Sequence, residues 1–295
     1  MTDAPALSSP LVSTQWLADH LGAPGLLVVD ASVVGFARPD GKAGYLSGHE
    51  QYILEGHLPG AVFADLIEEF SDPEGAYPFT RPDAERFAAA AGAIGVGDGS
   101  TVIVYDSAVG QWASRVWWLF RAFGYDRVAV LDGGLAKWRA EGRTIEIGHV
   151  EPVAAAFTPH ERPELWADKA DVEAVVRGER EAALVCATPP KEFTGETSSR
   201  VRPGHIPGST SAPAAFLVDR ETNAVLGADR LRERLAPALG APQIITYCGG
   251  GIAAASAALA LTLLGERSVA VYDASLNEWA ADPDAPLETL VGAAN

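Results

Sequence analysis

The chain is poor in cysteine: 295 residues carry only Cys186 and Cys248. Two thiols are too few for a disulfide-stapled scaffold, and their separation matches no zinc-ligand spacing. The six histidines are scattered, so no metal site is expected. Basic residues are also scarce, 22 Lys and Arg against 39 Asp and Glu, giving a formal net charge of −17 with no basic cluster. Nucleic acid is thereby disfavoured as a partner, because a polyanion is held by clustered cations that displace its counterions. A small anionic substrate would need a local positive field against this background. Long apolar runs are missing, and Met1 to Pro10 has no basic segment leading into an apolar core. No membrane association is expected, and the cytoplasm is the default location.

What is present describes a folded protein of ordinary composition. Hydrophobic residues make up 48% of the chain and charged ones 21%, which excludes a disordered polyelectrolyte. The length suits two domains, each able to bury its own core. Short β-branched runs alternate with helical patterns: Leu26-Leu27-Val28-Val29-Asp30, then a helix from Pro82 to Ala91, Thr101-Val102-Ile103-Val104-Tyr105, a helix from about Ala113 to Phe123, and Val128-Ala129-Val130-Leu131. Such alternation argues for parallel sheets with helices on both faces. The most informative stretch is Ile244-Ile245-Thr246-Tyr247-Cys248-Gly249-Gly250-Gly251-Ile252-Ala253-Ala254-Ala255. A strand there runs into a cysteine, a glycine loop and an apolar helix, which puts Cys248 at the carboxyl end of a strand.

The second half repeats the plan of the first. Val12 to Leu21 and Trp166 to Val176 both read as short capped helices, and Leu184-Val185 takes the place of Val28-Val29. Gly204-His205-Ile206-Pro207-Gly208 answers Gly56-His57-Leu58-Pro59-Gly60, and Tyr247 answers Tyr105. The run from Tyr272 to Trp279 answers that from Leu131 to Trp138. The expected organisation is a first domain over 10–144, a proline-bearing linker over 145–164 and a second domain over 165–291. Because His57 and His205 recur in the same turn, as do Asp132 with Asp273 and Trp138 with Trp279, these residues read as structural.

The tandem Gly-His-x-Pro-Gly turns, the strand ending Tyr247-Cys248 and the Tyr272-Asp273-Ala274-Ser275-Leu276-Asn277-Glu278-Trp279 stretch together resemble a two-domain rhodanese-type sulfurtransferase, over nearly the whole chain. The resemblance implies an α/β protein of two similar rhodanese-like domains, each a mainly parallel sheet with helices on both faces. It implies that only the second is catalytic, which fits Asp106 standing where the second repeat has Cys248. It also implies a sulfane sulfur moved from thiosulfate or 3-mercaptopyruvate to a thiol (thioredoxin or glutathione in type) or to cyanide, with no cofactor. Arg202 matches a substrate-binding arginine of the family, and Arg200 lies close enough in sequence to assist.

The residues support that chemistry independently. Sulfur transfer needs a thiolate that attacks sulfur, holds it as a persulfide and yields it to an acceptor. The backbone N–H groups of Gly249, Gly250, Gly251, Ile252 and Ala253 are placed to converge on the sulfur, and the following helix adds its positive dipole end. Both favour the charged species. The chain departs from the family in several polar helpers. The loop is neutral, as in mercaptopyruvate-using relatives, yet their loop serine is Gly250 here. The histidine that follows their Ser-Asp pair in the first domain is Phe79 after Ser71-Asp72, and the usual Asp-Ala-Arg is Cys186-Ala187-Thr188. Two alternatives stay open: a persulfide-sensing or binding protein with weakened catalysis, and a dinucleotide-binding domain suggested by Gly249-x-Gly251-x-x-Ala254. Cys186 reads as a buried strand-end thiol, with a resolving-thiol role as the alternative.

Overall fold

The computed structural model describes residues 4–39 and 43–290. Met1–Asp3 of the amino terminus and Val291, where the second domain was expected to end, lie outside the described residues. Contacts divide the chain into two units. The first comprises 1–36, 45–162 and 218–225; the second comprises 37–44, 163–217 and 226–295.

The first unit contains β1 (Leu11–Val12), α1 (Thr14–His20), β2 (Leu26–Asp30), β3 (Val33–Ala37), β4 (Ala43–Ser47), α2 (His49–Glu55), β5 (Val62–Phe63), α3 (Ala84–Ala93), β6 (Thr101–Tyr105), α4 (Gln111–Ala122), β7 (Val128–Leu131) and α5 (Gly134–Ala140), with β3 and β4 running partly into the segment grouped with the second unit. Five strands form a sheet in the order β1-β7-β6-β2-β5, every pairing parallel, while β3 and β4 pair separately. The core is aromatic: Trp117, Trp118, Trp138, Phe70, Phe87 and Phe120 are all essentially inaccessible.

The second unit contains β8 (Trp166–Ala167), α6 (Lys169–Val176), β9 (Ala183–Cys186), α7 (Pro190–Thr194), β10 (Thr210–Ser211), α8 (Ala228–Leu235), β11 (Ile244–Tyr247), α9 (Ile252–Leu263), β12 (Val269–Tyr272) and α10 (Ser275–Trp279). Its all-parallel sheet has the order β10-β9-β11-β12-β8, the first unit's arrangement read from the other edge. Neighbouring strands β9 and β11 connect onward to opposite sides, so the crevice at their carboxyl ends is a topological switch point. Cys186-Ala187-Thr188 lines one side of it and Tyr247-Cys248 the other. α9 is buried on most of its circumference, and its alanines Ala254, Ala255, Ala257 and Ala258 let it sit close against the sheet.

Two findings differ from the sequence reading. Trp166 lies in the edge strand β8 rather than in a helix; Asp168 caps α6 through a reciprocal capping box with Asp171. A two-residue edge strand carries no periodicity that could announce it. The proline-bearing stretch between the repeats is strapped onto the first unit: Glu146 pairs with His57, Gly148 N donates to Ile53 O, and Ala155 N donates to Gly92 O. Among the described residues no helix is long and apolar enough to cross a membrane.

The repeated turns show why their glycines recur. Gly56 and Gly204 adopt φ of 101° and 108°, and each backs onto a carbonyl, that of Glu146 or Glu288, where a β-carbon would collide. His57 holds Leu58 O and Gly148 O, and His205 holds Phe193 O while stacking on the Phe193 ring at 3.8 Å. Gly204→Ala should therefore destabilise the second unit through strain of about 1–3 kcal/mol plus the carbonyl clash. Gly208→Ala, where φ is 75° but the space is open, should cost less. Thermal melts of the two variants, at about 2–4 °C per kcal/mol, give the comparison.

Candidate functional site

The loop after the central strand exists in both units, and comparing them defines its chemistry. In the first unit Asp106 directly follows β6 and is fully buried. Its Oδ1 accepts the amides of Ala108 and Gly110 at 2.9 and 3.0 Å, and its Oδ2 those of Trp112 and Ala113 at 2.9 and 3.0 Å. The loop is an anion cradle closed on its own carboxylate. Burial pushes the Asp106 carboxyl up, and these four amides oppose that shift.

In the second unit Cys248 stands where Asp106 stood, 4% exposed. Gly110 and Gly251 cap their helices in nearly the same left-handed conformation, φ and ψ of 82° and 5° against 78° and −5°. Aligned on these caps, Trp112 and Ala113 correspond to Ala253 and Ala254, and Gly110 corresponds to Gly251. The amides of Gly249 through Ala254 donate to no protein acceptor among the described residues, the Cys248 sulfur included. The expected donors Gly249, Gly250, Gly251, Ile252 and Ala253 are among these amides, and the bond from Ala113 to Asp106 marks its counterpart Ala254 as a further candidate that sequence reasoning missed. The signal was available in the helix-start alignment of the two repeats.

The neighbouring β12–α10 connection fixes the loop. Cys248 N donates to Ser275 Oγ at 3.1 Å, and Ser275 Oγ donates to Tyr272 O at 2.6 Å. Cys248 O and Gly249 O accept from Leu276 N and Asn277 N at 3.1 and 2.9 Å. Ser275 holds φ of 52°, costly for a residue with a β-carbon, where its counterpart Gly134 holds 53°. The strain is compensated by a hydroxyl that glycine cannot offer. Ser275 is a positioning residue, legible in hindsight from a serine standing opposite a glycine.

Behind the loop, Tyr247 OH accepts from Ile206 N at 3.0 Å and donates to Ser209 Oγ at 2.7 Å, tying the His205 turn to the strand end. Tyr105 accepts from Leu58 N at 3.1 Å in the same way. Cys186 is fully buried in the cluster containing Tyr247 and Ile206, with Sγ 3.1 Å from Thr188 Oγ1. Burial pushes the Cys186 thiol up, so it stays neutral. Cys248, one residue beyond Tyr247, is not part of that cluster.

The two candidate arginines part company. Arg202 is spent on backbone: its guanidinium donates to the carbonyls of Ala280, Ala285 and Trp279 at 3.1, 2.8 and 3.1 Å, and to that of Asp282. It closes the carboxyl end of α10 and its following turn. Arg200 lies on the loop instead, its Nη2 occupying the space a β-carbon on Gly249 would need. It also donates to Asn277 Oδ1 at 3.3 Å and pairs with Glu192 at 2.7 Å. Two residues apart in an irregular segment, these side chains carry no periodic signal that could have told them apart.

Fold and loop together define a tandem rhodanese-like α/β protein with a thiol at the cradle of its second unit, and comparison with known proteins agrees. The rhodanese-like domain family matches residues 13–141 and 171–282. The chain is 34% identical to a 3-mercaptopyruvate sulfurtransferase of Escherichia coli O157:H7 across 95% of this chain and 98% of that one. It is also 34% identical to thiosulfate sulfurtransferase of Gallus gallus, covering 94% and 95% of the two chains. The crystal structure of SseA from Escherichia coli superposes with a TM-score of 0.79 at 32% identity, covering 91% of this chain and 99% of that one. The chain belongs to the rhodanese-like family and is a sulfurtransferase.

Arg202→Met should lower stability by about 1–3 kcal/mol, the cost of leaving buried carbonyls without donors. Arg200→Met, which leaves the Glu192 carboxylate 24% exposed and still reachable by water, should cost less than Arg202→Met. Urea unfolding followed by circular dichroism separates the two.

Proposed function

We propose that the chain moves a sulfane sulfur from thiosulfate or 3-mercaptopyruvate to a thiol or cyanide acceptor through a persulfide on Cys248. The observation that carries this reading is the open cradle of the second unit beside the filled cradle of the first. The carboxylate oxygens of Asp106 sit two bonds beyond Cβ, whereas a cysteine sulfur sits one bond beyond. The outer sulfur of a Cys248 persulfide is again two bonds out, on the side of Gly251, Ala253 and Ala254, the counterparts of Gly110, Trp112 and Ala113, whose amides have no protein acceptor among the described residues. The cradle suits the loaded state better than the empty one. That is differential stabilisation by backbone donors aimed at developing charge.

Loading starts with the Cys248 thiolate attacking the sulfane sulfur. With thiosulfate the donor S–S bond breaks and its electron pair leaves on sulfite. With 3-mercaptopyruvate the C–S bond breaks, and the thiol proton ends on the methyl carbon of pyruvate. Either way a Cys248 persulfide anion remains, held by the amides and the α9 dipole. In the second half-reaction an acceptor thiolate attacks the outer sulfur, forming its own persulfide and releasing the Cys248 thiolate. Cyanide attacking at the same atom gives thiocyanate. The bonds formed and broken balance without a cofactor. Arg200 is the proposed cation at the loop, in place of Arg202.

Intact-mass measurement after incubation with each donor should show an adduct of about 32 Da on the wild type and none on Cys248→Ser. A wild type that gains no mass with either donor would sink the reading. Cys248→Asp should be inactive yet melt at a higher temperature than Cys248→Ser, because a carboxylate fills the amide cradle as Asp106 does. Equal melting temperatures would contradict the two-bond argument.

A further inference from the structure

Arg200, the cation at the loop, is held in an ion pair whose other half, Glu192, takes no part in the half-reactions, and the geometry of the pair is specific. Glu192 lies on α7, which follows β9 on the far side of the switch-point crevice from Cys248. Its Oε2 is 2.7 Å from Arg200 Nη1, and the two side chains are only 24% and 15% exposed. The same guanidinium presses Nη2 against Gly249 and reaches Asn277 Oδ1 at 3.3 Å, while Asn277 N holds Gly249 O at 2.9 Å. One cation is therefore shared between the catalytic loop and a fixed carboxylate. Thr188 places no further charge at the end of β9, and Arg202 is turned onto carbonyls.

We propose that Glu192 sets the charge selectivity of the sulfur donor, by neutralising Arg200 at the loop so that singly charged donors are favoured over dianions. This rests on the persulfide reading above. A donor approaching Cys248 meets amide dipoles and an ion pair of zero net charge, in place of a free guanidinium. Thiosulfate brings two negative charges. 3-Mercaptopyruvate near neutrality brings one carboxylate and a protonated thiol. The repulsion from a fixed carboxylate scales with the donor's charge, so Glu192 penalises the dianion about twice as strongly in free energy. Low exposure limits the screening that would otherwise cancel this difference. The loop glycine belongs to the same device: any side chain at 249 would drive the guanidinium out of place.

Steady-state kcat/KM with both donors, on wild type, Glu192→Gln and Glu192→Asp, tests the assignment. Glu192→Gln keeps the shape and removes the charge. It should raise kcat/KM for thiosulfate by about 10-fold and for 3-mercaptopyruvate by about 3-fold, shifting the donor ratio roughly 3-fold toward thiosulfate. Glu192→Asp keeps the charge and should keep the wild-type ratio. The shift should shrink as ionic strength rises. Equal change for both donors in Glu192→Gln, or a ratio that moves as much in Glu192→Asp, overturns the proposal. The wild-type mass adduct separates this from failure of the underlying reading: a persulfide that forms normally with an unmoved ratio rejects only the role of Glu192.

Discussion

The start of a helix exposes backbone N–H groups that its own carbonyls cannot reach, and something must accept them. In both units the helix in question begins after a short loop at the end of the central strand, with its first residues partly or fully buried. The first unit meets the demand with the carboxylate of Asp106, bonded to four amides. The second unit has no such carboxylate. Buried donors without acceptors cost about 1–3 kcal/mol each, so the open loop is an expense the fold carries elsewhere, through an alanine-rich α9 packed on the sheet and an aliphatic-aromatic core beneath it.

That constraint explains why the surroundings are so closely braced. A cradle is useful only if its amides stay aimed while empty. Tyr247 pins the strand end to the His205 turn, that turn is locked to Glu288 by a reciprocal pair of backbone bonds, and the β12–α10 connection grips the loop through Ser275, Leu276 and Asn277. The first unit has the corresponding bonds around Tyr105, His57 and Leu135. The bracing is a property of the repeated fold, and the change from Asp106 to Cys248 is what leaves the second cradle without a carboxylate. The hydroxyl of Ser275, tolerated at φ of 52°, is an addition made only where the thiol sits.

Much of this was legible before any coordinates. The five-residue β-branched runs, the two Gly-His-x-Pro-Gly turns and the Tyr-Cys-glycine loop carry strong local signals, because strand burial, positive φ and helix starts each restrict residue type. The edge strands β1 and β8 were not legible, since two residues in extended conformation impose no pattern. Nor was the fate of the proline-bearing stretch after Arg143, whose backbone bonds reach carbonyls and amides far away in sequence. At the candidate site, the strand, loop and helix start around Cys248 were legible from residue type, while the direction of Arg200 and Arg202 was not. Direction is decided by which carbonyls α10 leaves unsatisfied and by the space above Gly249, both tertiary facts.

The replacement of Asp by Cys186 in the second unit then acquires a physical sense. Asp30 and Cys186 end matching strands, each beside the tyrosine of the neighbouring strand. Burial pushes the Asp30 carboxyl up, hydrogen bonds from Ser32 and Tyr105 oppose that shift, and the nearby Asp106 adds to it. A carboxylate at 186 would repel a persulfide anion on Cys248 in the same way, in a unit where Arg200 at the loop is paired with Glu192. A buried thiol whose ionisation is disfavoured places no charge there. With few cations to spare in an acidic chain, this site balances its electrostatics by removing a negative charge rather than by adding a positive one.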